Sequence, residues 1–468
     1  MRCVGRRPGG PIWWREDGWA LRARTDDERR DPIGRRNFAP LELLRGRVGA
    51  FAKNVAILVT GTAAAQAVTL LLAPVLSRLF TPTHFGLLVL FTSTIGIVAE
   101  VASGAYELAV VLPKEDDDAA NVLAVACGLV LITAALSLLV VSIGGDWIAV
   151  KLGNADIAPF LIWAPLSLLA LGWGRTLGFW STRRKQFRRI SVSEVTRSIG
   201  AAGTQTASGL VHASSAGLIG GRVAGDLAAS ALLAIWIWGE DRSRILGAIS
   251  WHRMKEVAAR FSDFPKFSLP QGLMNSVSQN VPVFLLTSLF DSGVVGYYAM
   301  AHRLLYLPSR FLGQSVRQVF LQRAAEAEAH GERLYPLLRK ATLGLVALGV
   351  LPALVVVIGG APLFRLTLGE QWGDSGRYAA WMTLWLFFAF VNPPAMSITQ
   401  VVRKQHWLLW YDGVLLAARC AALYLGARLG GALGAVAWFS VVGGVMNGGF
   451  VLSMMEYTRR RDRAEGRH

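Results

Sequence analysis

Cysteine is scarce. The three thiols in 468 residues, Cys3, Cys127 and Cys420, are too scattered for a disulfide framework or a CxxC metal site. The seven histidines are equally dispersed, with no HExxH among them. A GxxxxGK[ST] loop is missing as well, since the chain has no Gly-Lys dipeptide, and that argues against ATP-driven pumping. Charge is in short supply, at 17% of residues where soluble domains carry about 25%. No loop is long enough for a soluble catalytic domain. The chain is instead 53% hydrophobic, in runs of roughly 18 residues or more, the length that crosses hydrocarbon. A soluble enzyme, a collagen-like chain and a disordered chain are all excluded.

Lys and Arg total 48 against 31 acids, a net charge of +17. Basic charge alone would suggest nucleic acid. Beside these apolar runs it reads as topology instead, and no nucleic-acid partner is expected. Apolar segments fall near 52–78, 85–112, 121–145, 158–181, 194–213, 216–238, 264–290, 294–320, 337–358, 375–401, 407–428 and 431–455. With the N-terminus inside, one set of loops carries basic clusters such as Arg183-Arg184-Lys185, Arg403-Lys404 and Arg459-Arg460-Arg461. The other set carries only Arg78, Lys151, Arg365, Arg377 and Arg428. By the positive-inside rule, both termini are cytoplasmic.

The expected fold is an all-α polytopic membrane protein. About twelve transmembrane helices form two six-helix lobes around a central cavity. Residues 1–47 read as a disordered basic leader without a signal-peptide pattern, unless the start codon is misassigned. Residues 48–238 form the first lobe, 264–455 the second and 456–468 a basic tail. Between the lobes, 239–263 places Ile249, Met254, Val257 and Phe261 on one helical face. That pattern reads as an amphipathic linker lying on the cytoplasmic membrane surface. The lobes read as a parallel repeat. Leu79-Phe80 and Gly86 recur as Leu289-Phe290 and Gly296 at an offset of 210. Such repeats enclose a site between them.

Ionisable groups inside spans are costly and therefore mark function by default. Arg303, Arg310 and Arg317 recur every seven residues, on one helix face with slight drift. Arg303 lies ~14 Å deep, close to the midplane, and Arg310 ~24 Å deep. Snorkelling accounts for Arg317 and suits Arg310, but Arg303 is too deep for it. An anion-binding role for Arg303 in a wet cavity stands against a structural ion pair. Glu100 and Glu107 align with Arg310 and Arg317 under the same offset, and suggest a salt bridge that opens and closes the cytoplasmic mouth. A merely interfacial Glu107 is the bland alternative. Arg222 and Asp226, an i,i+4 pair, either neutralise each other or leave Asp226 to carry a coupling proton or sodium. Arg175 and Arg197 are expected to snorkel, and Asp412 and Arg419 to pair. Asp116-Asp117-Asp118 reads as a solvated loop, not a metal motif of a sugar transferase.

Two stretches carry a resemblance. They are Arg78-Leu79-Phe80-Thr81-Pro82-Thr83-His84-Phe85-Gly86 and Tyr106-Glu107-Leu108-Ala109-Val110-Val111-Leu112-Pro113-Lys114. With Val295-Gly296-Tyr297-Tyr298 and Arg303-Leu304, they resemble the polysaccharide exporter and O-antigen flippase family. That family lies within the superfamily of multidrug, oligosaccharidyl-lipid and polysaccharide exporters. The resemblance covers about 48–455, with Ala105 standing where relatives often place a basic residue. It implies two six-helix lobes that move undecaprenyl-diphosphate-linked oligosaccharide to the outer leaflet by alternating access. The pathway implied is O-antigen, capsule or exopolysaccharide synthesis at the bacterial inner membrane. Membrane lipids, a polysaccharide polymerase and a chain-length regulator would be its partners.

Because arginine's planar fork binds two oxygens at once, the diphosphate is expected at Arg303, then Arg78, Arg310 and Arg222. No catalytic residue, metal or cofactor is expected beyond a coupling H+ or Na+. A cation-coupled drug antiporter of the same superfamily is the main rival, but should show midplane acids. A membrane-embedded sugar transferase or polymerase would need a catalytic cluster, and a structural scaffold would not explain buried arginines.

Overall fold

The computed structural model describes residues 39–402 and 404–466. Side chains are described from 57 onward except at 58, 59, 307, 308, 310–312, 314, 315, 318, 405, 406 and 409. Most of the leader, 1–38, lies outside the described residues. Helix α1 (Ala39–Leu79) begins within the stretch that the sequence reads as leader. Helices α2 (Pro82–Val101), α3 (Tyr106–Ala109) and α4 (Asp116–Lys151) follow. Next come α5 (Ala158–Leu161), α6 (Ala164–Arg183), α7 (Phe187–Val211) and α8 (Ser215–Ala248). After α9 (Trp251–Arg260), a π-helical turn over Phe264–Ser268 leads into α10 (Leu269–Leu289). The remainder is α11 (Ser292–Ala329), α12 (Leu334–Leu368), α13 (Gly373–Val391), α14 (Pro393–Val401) and α15 (Gln405–Ala464).

Among the described residues there are helices and no strand. Seven helices are long and apolar enough to cross a membrane, or eight when the bent pair α5–α6 counts as one span. This is a multi-pass membrane protein. Helices α7, α10 and α11 fall short of that apolar standard because they carry Arg, Asn, Gln and Ser. Those residues need water or protein beside them, not lipid. Helix α15 contains the last two sequence segments and is broken between them at Gly430 and Gly431 (φ 59°). The two arms then pack glycine on glycine. A Cβ on Gly426 would stand 2.5 Å from the Gly434 carbonyl oxygen. In the second segment, Gly104 and Ala105 both adopt positive φ (65° and 61°) and divide α2 from α3. The position where relatives often carry a basic residue is thus a left-handed turn, which disfavours any side chain bearing a Cβ.

The offset of 210 has a physical cause. Helices α2 and α11 cross at their N-terminal ends. A Cβ on Gly86 would lie 1.8 Å from the Ser292 carbonyl oxygen, and one on Gly296 would lie 1.9 Å from that of Pro82. Each matched glycine therefore lets the other helix's first turn approach. Such reciprocity is what a local two-fold axis produces.

At the opposite end, the basic loops are not simply solvated. Asp116 binds Arg183 at 2.8 Å and Arg184 at 3.2 Å. Asp117 lies 3.5 Å from Arg253, and Asp118 lies 2.7 Å from Arg260. Fully buried Asn121 donates to the Ala248 carbonyl at 2.9 Å and accepts from the Ser250 N–H at 3.0 Å. The acidic triplet is thus a clamp, Asp116 on the end of α6 and Asp117 and Asp118 on α9. The linker's apolar face is spent partly on protein. Val257 is 1% exposed in a cluster with Ala109, Leu123 and Trp180, while Ala258 and Phe261 pack against it. Ile249 and Trp251, 37% and 70% exposed, remain open.

The Arg183 hydrogen bond, with the charges of Arg183, Arg184 and Arg244, holds the Asp116 carboxyl below the usual carboxylate range despite some burial. A depressed carboxylate pKa contributes stability that is present above its unfolded value and lost as pH falls through the folded one. Thermal unfolding in detergent should therefore show a fall in Tm below about pH 4 that is smaller in Asp116→Asn. Identical acid limbs in both proteins would disprove the clamp's contribution.

Candidate functional site

A cavity of about 450 Å³ lies where α1, α2, α7, α8, α10 and α11 converge. Three guanidinium groups, from Arg197, Arg222 and Arg303, share its wall with the amides of Gln205, Gln279 and Asn280, and among the described residues no Asp or Glu lines it. A second cavity of about 500 Å³ inside the N-terminal half has Thr92, Arg197 and Arg222 in common with it, and adds Glu194 and Asp226. Two of the arginines are therefore backed by acids. Arg222 Nε donates to Asp226 Oδ2 at 2.9 Å, and Arg197 pairs with Glu194. Arg303 is different. Among the described residues it has no hydrogen bond or ion pair, and the positive charge of Arg222 acts on it across the cavity.

Arg303 stands on α11 about 16 Å from the start of the helix at Ser292. The neighbouring His302 is stacked between Tyr298 (5.9 Å) and Tyr306 (4.8 Å), one turn away on either side, and faces Trp385 at 6.2 Å. This aromatic column stiffens the α11 face that presents Arg303. A desolvated guanidinium costs several kcal/mol unless something negative or wet accompanies it. The site therefore suits an anion, and arginine's fork suits one with paired oxygens.

The structure brings Arg222, Arg303 and, through Asp226, the adjoining cavity together. Arg78 is elsewhere. It lies exposed at the end of α1, its Cγ 3.8 Å from where a Gly369 Cβ would stand. Arg310 lies on α11, and its side chain is outside the described residues. Glu100 pairs within its own half, with Arg175 at 2.8 Å. Glu107 is 7% exposed and accepts from Ser103 Oγ. Two sequence readings change. Arg175 does not snorkel freely, because Glu100 holds it. Arg197 lines the cavity, and the signals for it were the polar run of α7 and Glu194 three residues earlier. His302 and the α10 amides escaped notice because neutral polar residues carry no charge pattern.

Opposite the basic loops the halves are tied shut. Trp372 Nε1 donates to the Ser77 carbonyl at 2.7 Å, and Ser77 Oγ donates to that of Leu368 at 2.9 Å. Asn154 Nδ2 donates to Ser292 Oγ at 2.5 Å. With the α2–α11 crossing, these bonds seal one end of the cavity.

A helical, multi-pass membrane fold thus encloses a cationic cavity between two halves tied together at one end. Residues 75–377 match the family model described as polysaccharide biosynthesis protein, and the chain belongs to that family. Two solved structures share the fold. A lipid II flippase, MurJ, in an inward closed conformation aligns with TM-score 0.66 and 13% identity over 86% of this chain and 87% of that one. An inward-facing multidrug resistance MATE family transporter of the MOP superfamily aligns with TM-score 0.56 and 14% identity over 87% and 95%. No curated protein matches by sequence.

The seal yields a test. Gly86→Val or Gly296→Val forces α2 and α11 apart by more than about 1.5 Å to reach ordinary contact distance. Spin labels on Asp156, in the turn before α5, and Asp374, in the first turn of α13, should then move apart. An unchanged distance distribution in both variants would refute the glycine contact.

Proposed function

We propose that the chain is a flippase for undecaprenyl-diphosphate-linked oligosaccharide, carrying the head group from the cytoplasmic to the outer leaflet by alternating access. The observation that carries this reading is Arg303, an unpaired guanidinium near mid-membrane in a cavity walled by two further arginines and no acid. A diphosphate–sugar head cannot cross about 30 Å of hydrocarbon unaided, whereas a wet cationic cavity accepts it while the lipid tail stays outside. Membership of the polysaccharide biosynthesis family supports a glycan substrate, for O-antigen, capsule or exopolysaccharide. The basic loops favour an inner-membrane location with both termini cytoplasmic, and put the sealed end outside. A polymerase and a chain-length regulator are the partners such a product would meet.

Arg303 and Arg222 are assigned to the diphosphate, with Arg310 below them toward the cytoplasm. Asp226 Oδ1 is buried without a partner, which suits a coupling proton or sodium. Glu100 is assigned to gating. Its Oε1 lies 2.7 Å from where a Cβ on Gly272 of α10 would stand, so closure of the mouth brings the C-terminal half onto it. A drug antiporter is the lesser reading because the central cavity offers no acid to a cationic drug.

Reconstitution into proteoliposomes with labelled lipid-linked oligosaccharide tests the proposal, scoring head-group exposure on each face. Arg303→Ala should slow translocation by at least about tenfold, the scale of one charge-assisted hydrogen-bond pair. Arg303→Lys should fall between. Translocation without protein, or a wild-type rate in Arg303→Ala, would defeat it.

A further inference from the structure

The structure assigns a second ligand site to the C-terminal half: a cavity of about 650 Å³ between α10 and α15 that takes neutral sugar residues. It deepens the flippase reading and rests on it, with the anionic end of the same molecule at Arg303.

Depth and polarity come first. Asp412 is seven residues into α15, about 10 Å along it. It is exposed and has neither ion pair nor hydrogen bond among the described residues. The expected pairing with Arg419 is not made. Gln271 is likewise exposed without a partner, one turn before Asn275 on the same wall. Carboxylates and amides at such positions do not face lipid. The cavity is therefore wet, and its polar groups are free for a ligand.

Charge comes second. Among the described lining residues, Asp412 and Arg419 are the charged ones, one of each sign. The central cavity has three arginines and no acid. One space suits an anion and the other a neutral polyol. A carboxylate, a guanidinium and amides each engage neighbouring hydroxyls with paired hydrogen bonds.

Rigidity comes third. The Arg419 guanidinium lies 4.7 Å from the Trp385 ring and 5.0 Å from that of Phe439, two rings set edge to face. Gly443 admits it there, because a Cβ would lie 2.7 Å from Arg419 Nη2. An arginine held by rings and not by a carboxylate keeps donors free for a ligand.

The two cavities also meet. Gln279, in the central wall, donates to Asn275, in this one, at 3.4 Å along one face of α10. A single head group can therefore lie against that face, its diphosphate at Arg303 and its outer sugars at Asp412 and Arg419.

The test uses the full chain in nanodiscs. Two probes are bound, bare undecaprenyl diphosphate and the host's own undecaprenyl-diphosphate oligosaccharide, and the readout is the ratio of their Kd values. The wild type should prefer the glycosylated lipid by about tenfold or more. Asp412→Asn and Asn275→Leu should each bring the ratio toward one, whereas Arg303→Gln weakens both probes and keeps the ratio. Asn275 is exposed, so its variant carries the test if Asp412→Asn fails to fold. A wild-type ratio of one, or an unchanged ratio in both variants, would overturn the sugar site alone. If neither lipid binds the wild type, the flippase reading falls and takes this site with it.

Discussion

The constraint behind most of this structure is the cost of a charge without a partner at mid-membrane. Arg303 can be kept in α11 only if water or an anion reaches it, and the surrounding helices are built to that need. Helices α7 and α10 are too polar to face lipid, and both turn their polar sides to the same cavity. Helix α8 brings Arg222, already steadied by Asp226. The polar cavity is thus not a hole left over by packing. Its walls are the helices that the bilayer would otherwise reject.

A second constraint is closure. Two helix ends can approach this closely only where neither carries a side chain at the crossing. The α2–α11 crossing does this with backbone against backbone at Gly86 and Gly296. Hydrogen bonds from Trp372, Ser77 and Asn154 surround it, each worth about 1 kcal/mol net. No buried ion pair crosses that seal among the described residues, so parting it exposes no unpaired charge.

Much of this was legible beforehand. The apolar segments sit on helices because hydrophobic length dictates a span. The recurrence of Leu-Phe and Gly at an offset of 210 was legible because a glycine in a close crossing admits no substitute. Arg303 stood out because its depth excluded snorkelling. Partner choice was not legible. Glu100 pairs with Arg175 of its own half, and the still solvated Asp116-Asp117-Asp118 reach four arginines. Such pairings depend on which helix faces adjoin, and spacing along one helix says nothing about the next. The amides of α10 were invisible for a related reason, since they interrupt hydropathy only mildly.

The clamp on α9 has a mechanical meaning. Because Asp117 and Asp118 hold the linker to the first half, the continuous chain between the halves is in effect the short stretch from Phe261 to the π-helical turn ending at Ser268. It sits at the end with the basic loops, opposite the seal. Any widening there must be drawn from those few peptides, which reach at most about 3.5 Å per residue when fully extended. The turn is therefore a leash. Its slack, and not the strength of any one ion pair, limits how far the two halves can part at that end.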